Sequence, residues 1–132
     1  MPIKTKRWDE PAEPDDGFRL LICRYRPRAL PKAAETWDAW DADLGPSPAL
    51  LKAFQGKTGY AIQWTQYRRR YIKEQEANHR KIAALAARVQ AGETITLLCS
   101  ASCADPDRCH RTLLEELIND SLSAQGAKGP DK

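Results

Sequence analysis

Cys109, His110 and Arg111 stand consecutively, with Cys99 and Cys103 shortly before them, and Arg24, Arg26 and Arg28 occupy alternate positions nearer the amino terminus. Thiol, imidazole and guanidinium groups grouped in this way suit a limited set of chemistries. A cysteine in the first turn of a helix has its thiolate favoured by the macrodipole and by a neighbouring cation, which makes Cys109 a candidate nucleophile. An imidazole titrates near neutrality, which makes His110 the candidate for proton transfer. Guanidinium forks hold phosphates and carboxylates, so Arg24, Arg28 and Arg111 are candidates for gripping a small anion. Asp16, in an Asp-Gly turn ahead of a strand, is a lesser ligand-binding candidate and equally a turn residue.

Each group has a plainer reading. An arginine at a buried strand end needs a counter-charge, and Asp15, Asp16 or Asp43 could supply one to Arg24 internally. The phosphatase spacing of cysteine, five residues, then arginine is absent, because the sixth position after Cys103 is Cys109 and after Cys99 is Asp105. A cysteine phosphatase or rhodanese-like transferase is therefore disfavoured, although the order of strand, loop and helix is echoed. Cys99, Cys103, Cys109 and His110 are zinc-type donors, yet no two cysteines are separated by two residues and adjacent residues seldom share one ion. No metal is assigned from the sequence, and the cofactor is left open.

These residues must be positioned by two strongly apolar runs, Phe18–Cys23 and Thr94–Cys99, which lack polar alternation. Such runs read as strands buried on both faces, as in parallel α/β sheets, whose ligands sit beyond the carboxyl ends of the strands. Ile3 to Arg7 suits a short edge strand, and the proline-rich acidic stretch Asp9 to Asp16 a loop closed by Gly17. Ala34 to Asp43 is expected to be helical, with Trp37 and Trp40 sharing a face. Ser47 and Pro48 form a cap and first turn for a helix over Ala49 to Phe54. A long helix is expected from about Tyr60 to Gln90, its apolar stripe running through Trp64, Tyr67, Tyr71, Ile82, Leu85 and Val89, with a bend or break near Asn78. Asp105 and Pro106 would start the last helix, which buries Leu113, Leu114, Leu117 and Ile118 and turns Cys109 and His110 inward.

With 132 residues, 42% apolar and 30% charged, the chain is expected to form one compact domain over residues 1–122, followed by a disordered tail over 123–132. Neither a signal-type apolar segment nor a membrane-spanning run is present, and cysteines without an export signal are read as reduced thiols, so a cytoplasmic protein is expected. A formal charge of +3 is too small to indicate nucleic acid by itself. Arg68, Arg69 and Arg70 lie among Trp64, Tyr67 and Tyr71, but the aromatics fall on one helical stripe and the arginines largely off it, which is how a core face and a solvated face look.

Read as an ordered series, Lys6-Arg7, Asp16-Gly17-Phe18-Arg19, Arg24, Pro27-Arg28, Trp40, Pro46-Ser47, Leu51, Phe54, Trp64, Tyr71 and Glu74 resemble the domain-of-unknown-function family 488, the YeaO-like group. The stretch Leu97-Leu98-Cys99-Ser100, Asp105-Pro106 and Cys109-His110-Arg111 is similar to the Cys-His-Arg segment of many members. The family usually carries a tryptophan-proline-arginine-glycine turn where this chain has Arg26-Pro27-Arg28-Ala29, a departure that adds charge and loses a glycine. The resemblance implies a fold and no established activity.

Together these readings lead to a small α/β domain, a largely parallel sheet flanked by helices, with a strand-end pocket for a small anionic ligand such as a nucleotide or other phosphorylated metabolite. Arg24 and Arg28 would hold the anion, Arg111 would assist, and His110 and Cys109 would be the reactive groups. The alternative is a nucleic-acid-binding or protein-interaction module with a structural Cys/His cluster. Substrate, reaction and oligomeric state are not specified by these residues.

Overall fold

In the computed structural model, which describes residues 3–27, 29–56, 59–99 and 109–127, the two apolar runs lie side by side in one sheet. The strands are β1 (Ile3–Arg7), β2 (Phe18–Leu21), β3 (Ala39–Trp40) and β4 (Ile95–Cys99), in the order β1-β4-β2-β3, and every pairing is parallel. Every residue of β4 is buried, which is why its sequence shows no alternation. Pairing of Arg7 with Cys99, Leu21 with Leu98 and Leu21 with Trp40 brings the carboxyl ends of all the strands to one edge.

The two faces of the sheet are covered differently. Leu20, Ile22, Ile95 and Leu97 pack against Ile82, Leu85 and Val89 of α3 (His79–Gln90) and Leu114 and Ile118 of α4 (His110–Ala127). On the other face Leu21 and Leu98 join Cys23, Cys99 and Cys109 beneath the partly buried Trp8 and Trp37. Gly17 admits no side chain: its φ is +65° and a Cβ would stand 2.2 Å from the Thr94 carbonyl oxygen. That close approach lets the Phe18 amide donate to the same oxygen and start β2 in register with β4.

α1 (Pro48–Gln55) begins as expected, with the Ser47 hydroxyl accepting from the Leu50 amide. The same residue clamps α1 to α2 (Trp64–Gln75), because its amide and hydroxyl both donate to the Glu74 carboxylate. The stripe expected for one long helix belongs to α2 and α3, separated by a 3-10 turn over Glu76–Asn78, where Asn78 donates to the Asp43 carbonyl. Residues 60–63 precede α2 and are not helical. Among the described residues no helix is long and apolar enough to cross a membrane.

The stretch 34–43 is not the expected helix. A 3-10 turn over Lys32–Ala34 leads into β3, and another follows over Ala42–Leu44. Tertiary pairing overrides the local spacing here. The Arg19 amide donates to the Asp38 carboxylate, the Asp41 amide to the Leu21 carbonyl, and the Trp40 indole to the Cys23 carbonyl, so Trp37 and Trp40 serve different surroundings. Cys23 itself lies beyond the end of β2, not within it. α4 runs past Leu122 to Ala127, into the stretch expected to lie outside the fold. The expected caps Asp105 and Pro106 fall outside the described residues.

Candidate functional site at the carboxyl ends of the strands

Cys99 is the last residue of β4, and Cys109 immediately precedes α4, whose first residue is His110. Beyond β2 the chain stays extended long enough for the Ile22 amide to donate to the Leu98 carbonyl. The Ile22 carbonyl is 2.8 Å from His110 Nε2. A carbonyl can only accept, so Nε2 carries the proton, and a neutral ring held in this way presents the lone pair of Nδ1. Nδ1 lies 3.9 Å from Cys99 Sγ and 4.0 Å from Cys109 Sγ, and the two sulfurs are 3.0 Å apart. All three residues are buried. The Tyr71 ring stands 5.8 Å from the imidazole, and its hydroxyl donates to the Leu44 carbonyl. Burial above all, with Tyr67 and the two thiols nearby, holds that phenol protonated well above its ordinary range.

Arg111 follows on the same turn of α4 and is 4% exposed. Its Nε and Nη1 are buried and have no hydrogen-bond partner among the described residues, nor does any described carboxylate pair with it. Burying a guanidinium without a counter-charge is unfavourable by roughly several kcal/mol, which sets Arg111 apart from Arg24.

Arg24 is occupied by its own surroundings. Nε donates to the Pro46 carbonyl at 2.8 Å and Asp43 lies 3.5 Å from Nη1, which is the internal pairing anticipated as the plainer reading. It borders a polar cleft of about 340 Å³ that also contains Asp43, Ser47 and Glu74, and two carboxylates beside one guanidinium make a poor place for an anion. Arg26 pairs with Glu35 at 2.7 Å and lies over the Trp37 ring. Arg28, Cys103, Asp105 and Asp107 lie outside the described residues.

Asp16 is at the other end of the sheet, just ahead of β2. There its buried carboxylate accepts from Lys4 at 2.6 Å, from Lys6 at 3.1 Å, from the Glu13 amide at 3.1 Å, and closely from Arg19 Nη1. Burial alone would raise this carboxyl, but the bonds from Lys4, the Glu13 amide and Lys6 outweigh it and hold Asp16 well below the usual carboxylate range. The aromatics of α2 are core: Tyr67 and Tyr71 are buried with Leu50 and Leu113, and the tilted Phe54 ring lies 4.3 Å from that of Tyr67, while Arg68, Arg69 and Arg70 are exposed.

The structure thus gathers Cys109, His110 and Arg111 at the carboxyl end, adds Cys99 to them, and leaves Asp16 in a closed ion-pair network and Arg24 held by main-chain carbonyls and Asp43. Sequence reasoning missed the Ile22 carbonyl that orients His110 and the Trp8 and Trp37 cover over the thiols. A main-chain oxygen leaves no trace in residue type. The tryptophans were visible, but only the register of the sheet packs them against the cluster that contains Cys99.

What fold and site define is a small, all-parallel α/β protein with a buried Cys-His-Arg group at the carboxyl ends of its strands. The chain belongs to the DUF488 family: residues 3–122 match the family model DUF488-N3a, described as the active DUF488-N3 subclade. It is 36% identical over 101 residues to the uncharacterized protein YeaO of Escherichia coli strain K12, an overlap of 76% of this chain and 84% of that protein. No solved structure gives a significant match.

Proposed function

We propose that the carboxyl end of the sheet binds a small anionic ligand of the nucleotide or phosphorylated-metabolite class, and that Cys109 and His110 equip the site for catalysis. The observation that carries this reading is Arg111, a buried guanidinium with two nitrogens unpartnered among the described residues, one position from the Cys109–His110 pair. An oxyanion satisfies both its charge and its donors, and a guanidinium fork is the geometry that grips one. Arg111 takes the leading part expected of Arg24, and Arg28 remains the second guanidinium of the reading. His110 Nδ1 is the atom through which a proton is exchanged with Cys109, since Nε2 is held by the Ile22 carbonyl. The description of the matched subclade as active agrees with a chemically competent site. Reduced thiols at its centre suit a cytoplasmic protein.

Calorimetric titration with inorganic phosphate and with adenosine 5′-monophosphate tests this. At least one should bind saturably, and Arg111→Met should weaken that binding by about tenfold or more, the loss of one charge-assisted fork, while thermal unfolding shows the variant folded. Failure of both probes to bind, or equal binding by the folded variant, overturns the reading.

A further inference from the structure

We propose that Cys99, Cys109 and His110 together bind one zinc-type divalent ion. This extends the reading above and rests on it for the claim that the carboxyl end is the working end of the sheet; with the ion bound, Cys109 and His110 serve as its ligands beside Arg111, and the proton exchange between them belongs to the metal-free chain. The donors are the right kind, two sulfurs and an imidazole nitrogen, and the ligand atoms all lie within 4.8 Å of one another.

Their separations suit an ion as they stand. Nδ1 is almost equidistant from the sulfurs, at 3.9 and 4.0 Å, and the sulfurs are 3.0 Å apart. An ion at the usual zinc–sulfur distance of about 2.3 Å from both, displaced toward the ring, falls about 2 Å from Nδ1, which is a zinc–nitrogen bond length. Only the sulfurs need adjust, opening toward the ~3.7 Å that tetrahedral angles require. The outer shell is also in place. Metal-bound histidines donate their second ring N–H to a carbonyl or carboxylate, which fixes the tautomer, and His110 Nε2 does so to Ile22.

Charge favours the same outcome. The cluster is packed with Leu21 and Leu98 under Trp8 and Trp37, where two uncompensated thiolates would be costly. A divalent ion binds as the two thiol protons leave, and its charge offsets both thiolates. Cys23 supplies an internal comparison, since it is buried in the same apolar cluster but is not among the three converging donors.

The full chain, purified reduced and equilibrated with zinc chloride, should retain one zinc per chain after gel filtration, measured by elemental mass spectrometry. Cobalt(II) in its place should show a thiolate charge-transfer band. Cys99→Ser, Cys109→Ser and His110→Ala should each lower zinc affinity by about 100-fold or more, exceeding the usual loss for an outer-shell residue, whereas Cys23→Ser should bind as the parent does. Metal-free circular dichroism shows whether each variant is folded. No retained zinc in the parent, undiminished affinity in the folded ligand variants, or a metal-free chain two hydrogens lighter with Cys99 joined to Cys109 would overturn the assignment. Phosphate titration of the metal-free chain reads Arg111 separately, so failure of the ion site and failure of the anion site are distinguishable.

Discussion

Each end of the sheet buries charge, and they do so in opposite ways. At the amino end the cations Lys4, Lys6 and Arg19 converge on the single buried carboxylate of Asp16, and Thr96 ties the Asp16 carbonyl to the middle strand. At the carboxyl end Arg111 is as buried as Arg19 but has no carboxylate among the described residues, and it follows Cys109 and His110 directly in the chain. Charge that closes on itself is part of the fold's joinery. Charge that the fold buries without a counter-charge points to a ligand, and among the described residues the carboxyl end has it.

The largest expected effect is at the closed end. Asp16→Asn should destabilise the chain by about 3 kcal/mol near pH 7, because it strands cations that were buried against a carboxylate. The sign with pH follows from a carboxyl held below its ordinary value. Its ionised form stabilises the fold above about pH 4 and that contribution is lost as pH falls through the lower folded value. Urea unfolding of both forms should therefore show a gap that is full at neutrality and narrows below pH 4; a constant gap would mean the network stabilises by packing alone.

The two buried arginines sharpen the contrast. Arg19→Met should lower stability by about 2 kcal/mol, since it leaves a buried carboxylate with one partner fewer. Arg111→Met should leave stability unchanged or raise it by about 1 kcal/mol, as expected when an unpaired buried cation is replaced by an apolar group of similar volume. Matching losses in chemical denaturation would erase the distinction between the ends.

A smaller effect lies at Ala29, a residue with a Cβ whose φ is +56°. Ala29→Gly should stabilise the chain by about 1 kcal/mol, relieving the left-handed strain of a residue with a Cβ. A loss in thermal unfolding instead would show that chain entropy outweighs that strain.

The parts legible in the sequence are those whose partners are nearby or whose environment is uniform. The strand runs were evident because β4 is buried throughout, and the break at Asn78 because the helical stripe thins there. Ser47 and Pro48 announced α1 by local capping chemistry. The segment 34–43 was misread because what decides it, the Leu21 and Cys23 carbonyls, is distant in sequence and carries no side-chain signature. Arg24 was legible as a cation needing partners, yet most of those partners are the main-chain oxygens of Gly45 and Pro46. Cys99 and the Cys109–His110 pair could be placed near one another as strand end and helix start. Their convergence within a few ångströms, and the orientation of the ring, depend on the register of β2 with β4.

The most direct measurement is the Nε–Hε spectrum of the arginine side chains in the full chain during titration with inorganic phosphate, with the Arg111 resonance assigned by its loss in Arg111→Met. A saturable shift of the Arg111 resonance, with that of Arg19 unmoved, is the predicted result and would establish the carboxyl end as the anion-binding end. An unmoved Arg111 resonance, or a shift at Arg19 or Arg24 in its place, would contradict it.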